Sequence, residues 1–283
     1  MQLNNISSIP TGHIDDADSV RVVITALRAL HGPDYDFALR RWHGMISFGS
    51  SPGRTRHFFV VKADQTCQVF PNLAGLGEAL WPGDVFCVRP GDGPIRVEGD
   101  GVAFEVTTQA TDYPAPRLVH LRELTDKPGG CAAYPGAFRR EALPPVRPPA
   151  DAADRRGVNR VNEHTLDMRS DRTPLPIRHC HGPVAIGPDA TVNHSETAIV
   201  LPRSLYGLPE VGKTDEGRVV IYTRPLEDPS AQVVISVRPG SVIVTQASSQ
   251  RVMGHAFENA FAMLIAIPGF VAPYRMLEQG VNH

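Results

Sequence analysis

A chain of 283 residues with 42% apolar and 20% charged side chains can bury a sizeable core, as two ordinary domains or as one large one with additions. Its formal net charge of −2 has no polyelectrolyte character, which argues against nucleic acid or an anionic membrane as the main partner. The sequence has no apolar run of about 18 residues, so no membrane-spanning helix is expected.

Glycine and proline, at 25 and 26 residues, make up about a sixth of the chain and favour a turn-rich, mainly β protein. The four cysteines, Cys67, Cys87, Cys131 and Cys180, include no C-x-x-C pair, so a zinc ribbon is excluded on spacing and reduced thiols are expected. Residues 1–18 carry no basic region followed by an apolar core, so a secretory leader is not expected and a cytoplasmic location is.

In chain order, residues 1–17 are polar and acidic and read as a loose arm. From Asp18 onward, Val20, Val23, Ile24, Leu27 and Leu30 recur at helical spacing, and Gly32-Pro33 ends the segment. Residues 34–42 read as a second short helix with Phe37, Leu39 and Trp42 partly buried. These N-terminal helices would pack against the first barrel or across a homodimer. From Met45 to Thr108 the pattern becomes short apolar runs broken by Gly and Pro, with strands expected at 57–62, 67–70, 85–89, 95–98 and 102–107. His57 reads as a satisfied structural histidine rather than a ligand.

Prolines 144, 145, 148 and 149 cannot join a central strand, so the stretch 143–157 reads as an extended linker. The expected division is an arm with helices at 1–45, a first barrel at 46–142, the linker at 143–157 and a second barrel at 158–283. In the second half, strands are expected at 174–186, carrying His179-Cys180-His181, and at 190–201, carrying His194-Ser195-Glu196. The runs 218–224 and 232–238 look fit to pair, and 242–245 and 261–267 read as buried strands.

Residues two apart on a strand share a face, so His194 and Glu196 present an imidazole and a carboxylate side by side. A second histidine from a neighbouring strand, His255, would complete a two-histidine, one-carboxylate set with open positions on a metal. His179 and His181 offer a rival set with His255, or acid–base groups lining the pocket, because histidine titrates near neutral pH.

The segment from Gly187 through His194-x-Glu196, with Pro239-Gly240 followed by His255-x-x-x-Asn259, resembles the two motifs of the cupin superfamily. Trp81-Pro82-Gly83-Asp84-Val85 resembles the P-G turn of the same family in the first half, where Arg96 stands in place of a metal histidine. The resemblance implies two jelly-roll barrels, of which the first has lost its metal. It also implies a divalent metal in the second barrel and a role for Asn259 beside the metal ligands. Fe(II) is preferred there, with Mn, Ni or Zn able to take the same donors.

Three functions follow for a small-molecule substrate. The first is a non-haem Fe(II) oxygenase of dioxygenase type. The second is a metal-assisted isomerase or epimerase of a sugar-like compound, and the third is a non-catalytic binding module.

Overall fold

The computed structural model describes residues 10–109 apart from 32, 34 and 73–74, then 117–125. Beyond these it describes mainly strand segments: 127–128, 137–139, 163–165, 167–168, 177–181, 184–185, 191–192, 194–201, 217–223, 232–247, 253–257, 262–266 and 275–276. Helix α1 (Ala17–His31) begins where Asp16 Oδ1 accepts hydrogen bonds from the backbone N–H groups of Asp18 at 3.1 Å and Ser19 at 3.3 Å, an N-cap. The apolar stripe expected from the sequence is the buried face: Val20, Val23 and Leu27 are covered while Val22 faces solvent.

Two expectations for the N-terminal region are corrected. Residues 11–13 are not part of a loose arm but a strand, β1 (Thr11–His13), paired antiparallel with Ser241–Ala247 at the far end of the sequence. Gly12 permits this, because a Cβ there would sit 2.9 Å from the backbone carbonyl carbon of Ser19 in the helix above. Residues 34–42 do not form a second helix; β2 (Tyr35–His43) runs through them. Tyr35, Phe37 and Leu39 alternate with Asp36, Ala38 and Arg40, and the strand pairs antiparallel along Asp100–Thr108.

The first half continues through β3 (Ile46–Phe48), β4 (Arg54–Ala63), β5 (Gln68–Phe70), β6 (Glu78–Ala79), β7 (Val85–Val88), β8 (Ile95–Glu98), β9 (Asp100–Gln109) and β10 (Leu118–Val119). These make two sheets, ordered β10-β7-β4-β9-β2 and β3-β8-β5-β6. Between them lies a core of Phe48, Val69, Ile95 and Val97 from one sheet against Trp42, Phe58, Val60, Phe86 and Val88 from the other. Phe58 and Phe86 stack with ring centroids 4.6 Å apart.

Short strands β11 (Lys127–Pro128) and β12 (Ala137–Arg139) follow, then β13 (Glu163–Thr165), β14 (Asp167–Met168) and β15 (Ile177–His181). Next come β16 (Val184–Ala185), β17 (Thr191–Val192), β18 (His194–Leu201), β19 (Gly217–Thr223) and β20 (Gln232–Val237). The last are β21 (Ser241–Ala247), β22 (Met253–Phe257), β23 (Ala262–Ala266) and β24 (Arg275–Met276). The main sheets here are ordered β1-β21-β18-β23-β13 and β15-β22-β19-β20, with three-stranded sheets β11-β12-β14 and β17-β16-β24 beside them. The expected pairing of 218–224 with 232–238 is the β19–β20 ladder.

The two halves repeat one plan. The sheet order β7-β4-β9-β2 matches β21-β18-β23-β13, and β3-β8-β5-β6 matches β15-β22-β19-β20. Each half enters its central pair through a P-G turn with glycine at positive φ, Gly83 at 93° and Gly240 at 91°. The turns close identically: Gly83 N–H donates to Val60 O at 2.7 Å, and Gly240 N–H to Val200 O at 2.8 Å. Period-two alternation lets β4 serve two cores at once. Phe58 and Val60 face the first-half sandwich, whereas Phe59 and Val61 join a second core with Val23 and Leu27 of α1 and with Ile199, Leu201, Val242 and Val244 of the second half. The fold is mainly β. The stretch 143–157 lies outside the described residues.

Candidate functional site

Ladder register places the second-half histidines. His194 and Glu196 lie on β18, opposite Ala247 and Thr245 of β21. His255 lies on β22, directly opposite His179 of β15 on one side and Ile221 of β19 on the other. His181 is two residues along β15 from His179, opposite Met253. The structure therefore puts His179 and His255 at one register position in one sheet, and His194 and Glu196 in the other sheet. Directly paired residues of an antiparallel ladder have Cβ atoms about 4.5–5.5 Å apart. Asn259 and the Gly187 turn lie outside the described residues.

The repeat relates β18 to the better-packed first half. Counting from the P-G turns, Val85 and Val242 correspond, and their ladder partners Phe59 and Ile199 correspond in turn. Stepping back along each strand, Arg56 then corresponds to Glu196 and Arg54 to His194. In β4 these positions share a face with Phe58 and Val60, which line the interior of the first sandwich.

In the first half the counterpart of the β22 sheet carries no histidine on β3, β5, β6 or β8. Arg96 on β8 is engaged by packing, its guanidinium 4.1 Å from the Phe70 ring centroid and its Nε 3.2 Å from Glu98 Oε1. His57 is buried on the other face of β4, with Nδ1 3.3 Å from Val106 O. Burial pushes its pKa down to about 4, only partly offset by that hydrogen bond, so the ring is neutral at physiological pH. Cys67 and Cys87 are buried, and burial pushes the Cys67 thiol up to about 11, which makes it unreactive.

Two groupings escaped the sequence reading. His120 sits between carboxylates, Nδ1 2.9 Å from Asp84 Oδ2 and Nε2 3.3 Å from Glu78 Oε2. Burial opposes protonation of its ring, but the Asp84 hydrogen bond and charge outweigh it and raise the pKa. Asp84 also accepts the backbone N–H groups of Trp81 and Leu121, so this cluster ties the first P-G turn to the segment after β10. The second grouping is a set of arginines around Glu105 at one end of the first sandwich. The only sequence signal for it was Arg54 and Arg56, two apart at the start of a strand otherwise apolar on that face.

No family model matches the chain, and no curated protein matches it. Solved structures do. An iolb-like protein from Salmonella typhimurium is similar at 13% identity and a TM-score of 0.49, over 86% of this chain and 87% of that one. A cupin 2 conserved barrel domain protein from Leptotrichia buccalis is similar at 11% identity and 0.44, over 84% of each chain. The oxalate decarboxylase of Lactobacillus farciminis is similar at 9% identity and 0.44, over 87% of this chain and 80% of that one. These neighbours are cupin-fold proteins. Among the described residues no helix is long and apolar enough to cross a membrane.

Proposed function

We propose that the chain is a metal-dependent cupin-type enzyme acting on a small polar metabolite, with one divalent metal, Fe(II) by preference, on His194, Glu196 and His255. The observation that carries this reading is the repeat. His194 and Glu196 occupy the ladder positions that, in the first half, are held by Arg54 and Arg56 at the open end of the sandwich. Two neutral imidazoles and one carboxylate suit Fe(II), and Mn, Ni or Zn can take the same donors. Bound there, the metal supplies Lewis acidity and, as iron, one-electron chemistry toward dioxygen. The chain's own part is to hold that metal with positions left for substrate. His179, opposite His255, would hold or move a proton at its ring nitrogen, with His181 nearby on the same strand.

The same register favours a second reading. If His179 joins His255 as a ligand, the set grows to four and suits a metal-assisted isomerase better than an oxygenase. The test is oxygen consumption by Fe(II)-reconstituted protein against a panel of small hydroxy acids, keto acids and sugar-like compounds. Uptake that needs both Fe(II) and one compound supports the oxygenase. Substrate–solvent proton exchange without uptake moves the reading to the isomerase, and neither response leaves the non-catalytic binding module.

A further inference from the structure

The first-half sandwich ends in an open cavity of about 860 Å³ whose lining includes Arg28, Arg40, Arg54, Arg56, Asp36 and Glu105. Its floor is a buried ion cluster. Glu105 on β9 is only 2% exposed, and in the ladder it sits opposite Ala38 of β2 and Phe58 of β4. Arg40 and Arg56, reaching in from the two flanking strands, each donate through Nε to a separate carboxylate oxygen of Glu105, the Arg56 contact at 2.6 Å, and Thr107 Oγ1 donates at 3.1 Å. Arg56 is steadied further by Gly49 O at 2.7 Å and by the Phe58 ring, whose centroid is 4.9 Å away. Burial alone would raise the Glu105 pKa, but the two arginines outweigh it and hold the carboxyl below its usual range.

A structural clamp for Glu105 needs no more than these groups. The cavity has two further cations. Arg54, on the same face of β4 as Arg56, is held by a neutral partner, Pro33 O, at 3.0 Å. Arg28 reaches the rim from α1, held by Asp36 at 2.7 Å and by Phe37 O at 3.0 Å. Four guanidinium groups against two carboxylates leave two positive charges in excess in one concave site. Each guanidinium has five N–H donors in a fixed fork, and the bonds above occupy one or two of them in each case. A pre-positioned fork of this kind matches planar or tetrahedral oxyanions, and the cavity is of metabolite size.

We propose that the mouth of the first-half sandwich binds a small dianionic oxyanion, a dicarboxylate or a phosphate ester, through Arg40, Arg54 and Arg56. Glu105 acts as the buried counter-ion that aims two of them. The ladder correspondence adds a contrast: Arg54 and Arg56 stand where His194 and Glu196 stand in β18, so one half carries anion-binding groups at the positions where the other carries metal-binding ones. The ligand site does not depend on whether the second half holds a metal.

The test is calorimetric titration of the full-length protein at low ionic strength with succinate, malonate and inorganic phosphate, and with glycerol as a neutral control. Saturable binding of one equivalent of a dianion and none of glycerol is expected. Arg54→Gln and Arg40→Gln should each weaken it about tenfold or more, and added salt should weaken it further. Preference for succinate or malonate assigns the site to carboxylates, and preference for phosphate assigns it to phosphate esters. Thermal melts of both variants, matched to wild type, exclude unfolding as the cause, and Arg54→Gln, which among the described residues removes a side-chain hydrogen bond to a carbonyl, Pro33 O, tests binding if Arg40→Gln unfolds. His255→Ala should leave binding unchanged. Absence of binding by any dianion, or binding that survives Arg54→Gln but is lost in His255→Ala, would overturn the proposal.

Discussion

His57 makes the first half acid-sensitive in a defined window. Its ring is buried against Val106 O, and its folded pKa of about 4 lies below the ordinary 6.5. Between these two values the unfolded chain binds a proton that the native state refuses, so stability falls as pH falls. The contribution is complete above about 6.5 and is lost progressively down to about 4. At about 1.4 kcal/mol per pH unit of separation, the full loss is about 3 kcal/mol. His57→Gln keeps a hydrogen-bond donor near Val106 O but does not titrate. Urea unfolding of both proteins at pH 7.0, 5.5 and 4.5 should therefore show the wild type losing about 2–3 kcal/mol more than the variant over the series. Carboxylates such as Glu105 titrate in both proteins and cancel in the comparison. Equal pH dependence in the two, or a His57 ring that titrates near 6.5 by NMR, would refute the reasoning.

Other consequences follow from the same geometry. His120, held by Asp84, has a raised pKa, so its contribution is complete below about 6.5 and is lost as pH rises through the folded value. His120→Gln should remove the stability difference between pH 6 and pH 8.5 measured by urea unfolding, and an unchanged difference counts against the ion pair. Gly240→Ala meets positive φ and would place a Cβ 2.8 Å from Ile14 Cγ1, whereas Gly91→Ala has a similar φ with nothing within 4 Å. About 1–2 kcal/mol is expected for Gly91→Ala and about 2–4 kcal/mol for Gly240→Ala by urea unfolding; equal values would show that Ile14 does not press on the second P-G turn. Ile14→Ala empties part of the core shared by the two halves and should cost about 2–4 kcal/mol, lowering the melting temperature of both halves rather than one.

Much of the strand layout was legible because alternation and P-G punctuation are local signals. The strand at 95–98, the β19–β20 pair and both P-G turns were readable from a few residues each. Non-local contacts were not. Thr11-Gly12-His13 has no strand character of its own; it is a strand because the chain returns to it, His13 Nε2 meeting Pro239 O across 226 residues of sequence. For residues 35–43, apolar positions 37, 39 and 42 fit a helix and a strand equally well until β9 supplies a partner. The site followed the same division. His194-x-Glu196 and His179-x-His181 stand out as patterns, but the pairing of His179 with His255 depends on the register between strands far apart in sequence, which only the folded ladder sets. The Glu105 cluster joins three strands diagonally, and no spacing along one segment could disclose it.

The proposed metal site in the second half is tested most directly by elemental analysis of protein purified without oxygen, as wild type and as Glu196→Ala, His255→Ala and His179→Ala. One equivalent of a divalent metal is expected in wild type and in His179→Ala, and most of it should be gone from Glu196→Ala and His255→Ala, because three ligands leave no redundancy. Full occupancy in His255→Ala, or loss confined to His179→Ala, would contradict the assignment.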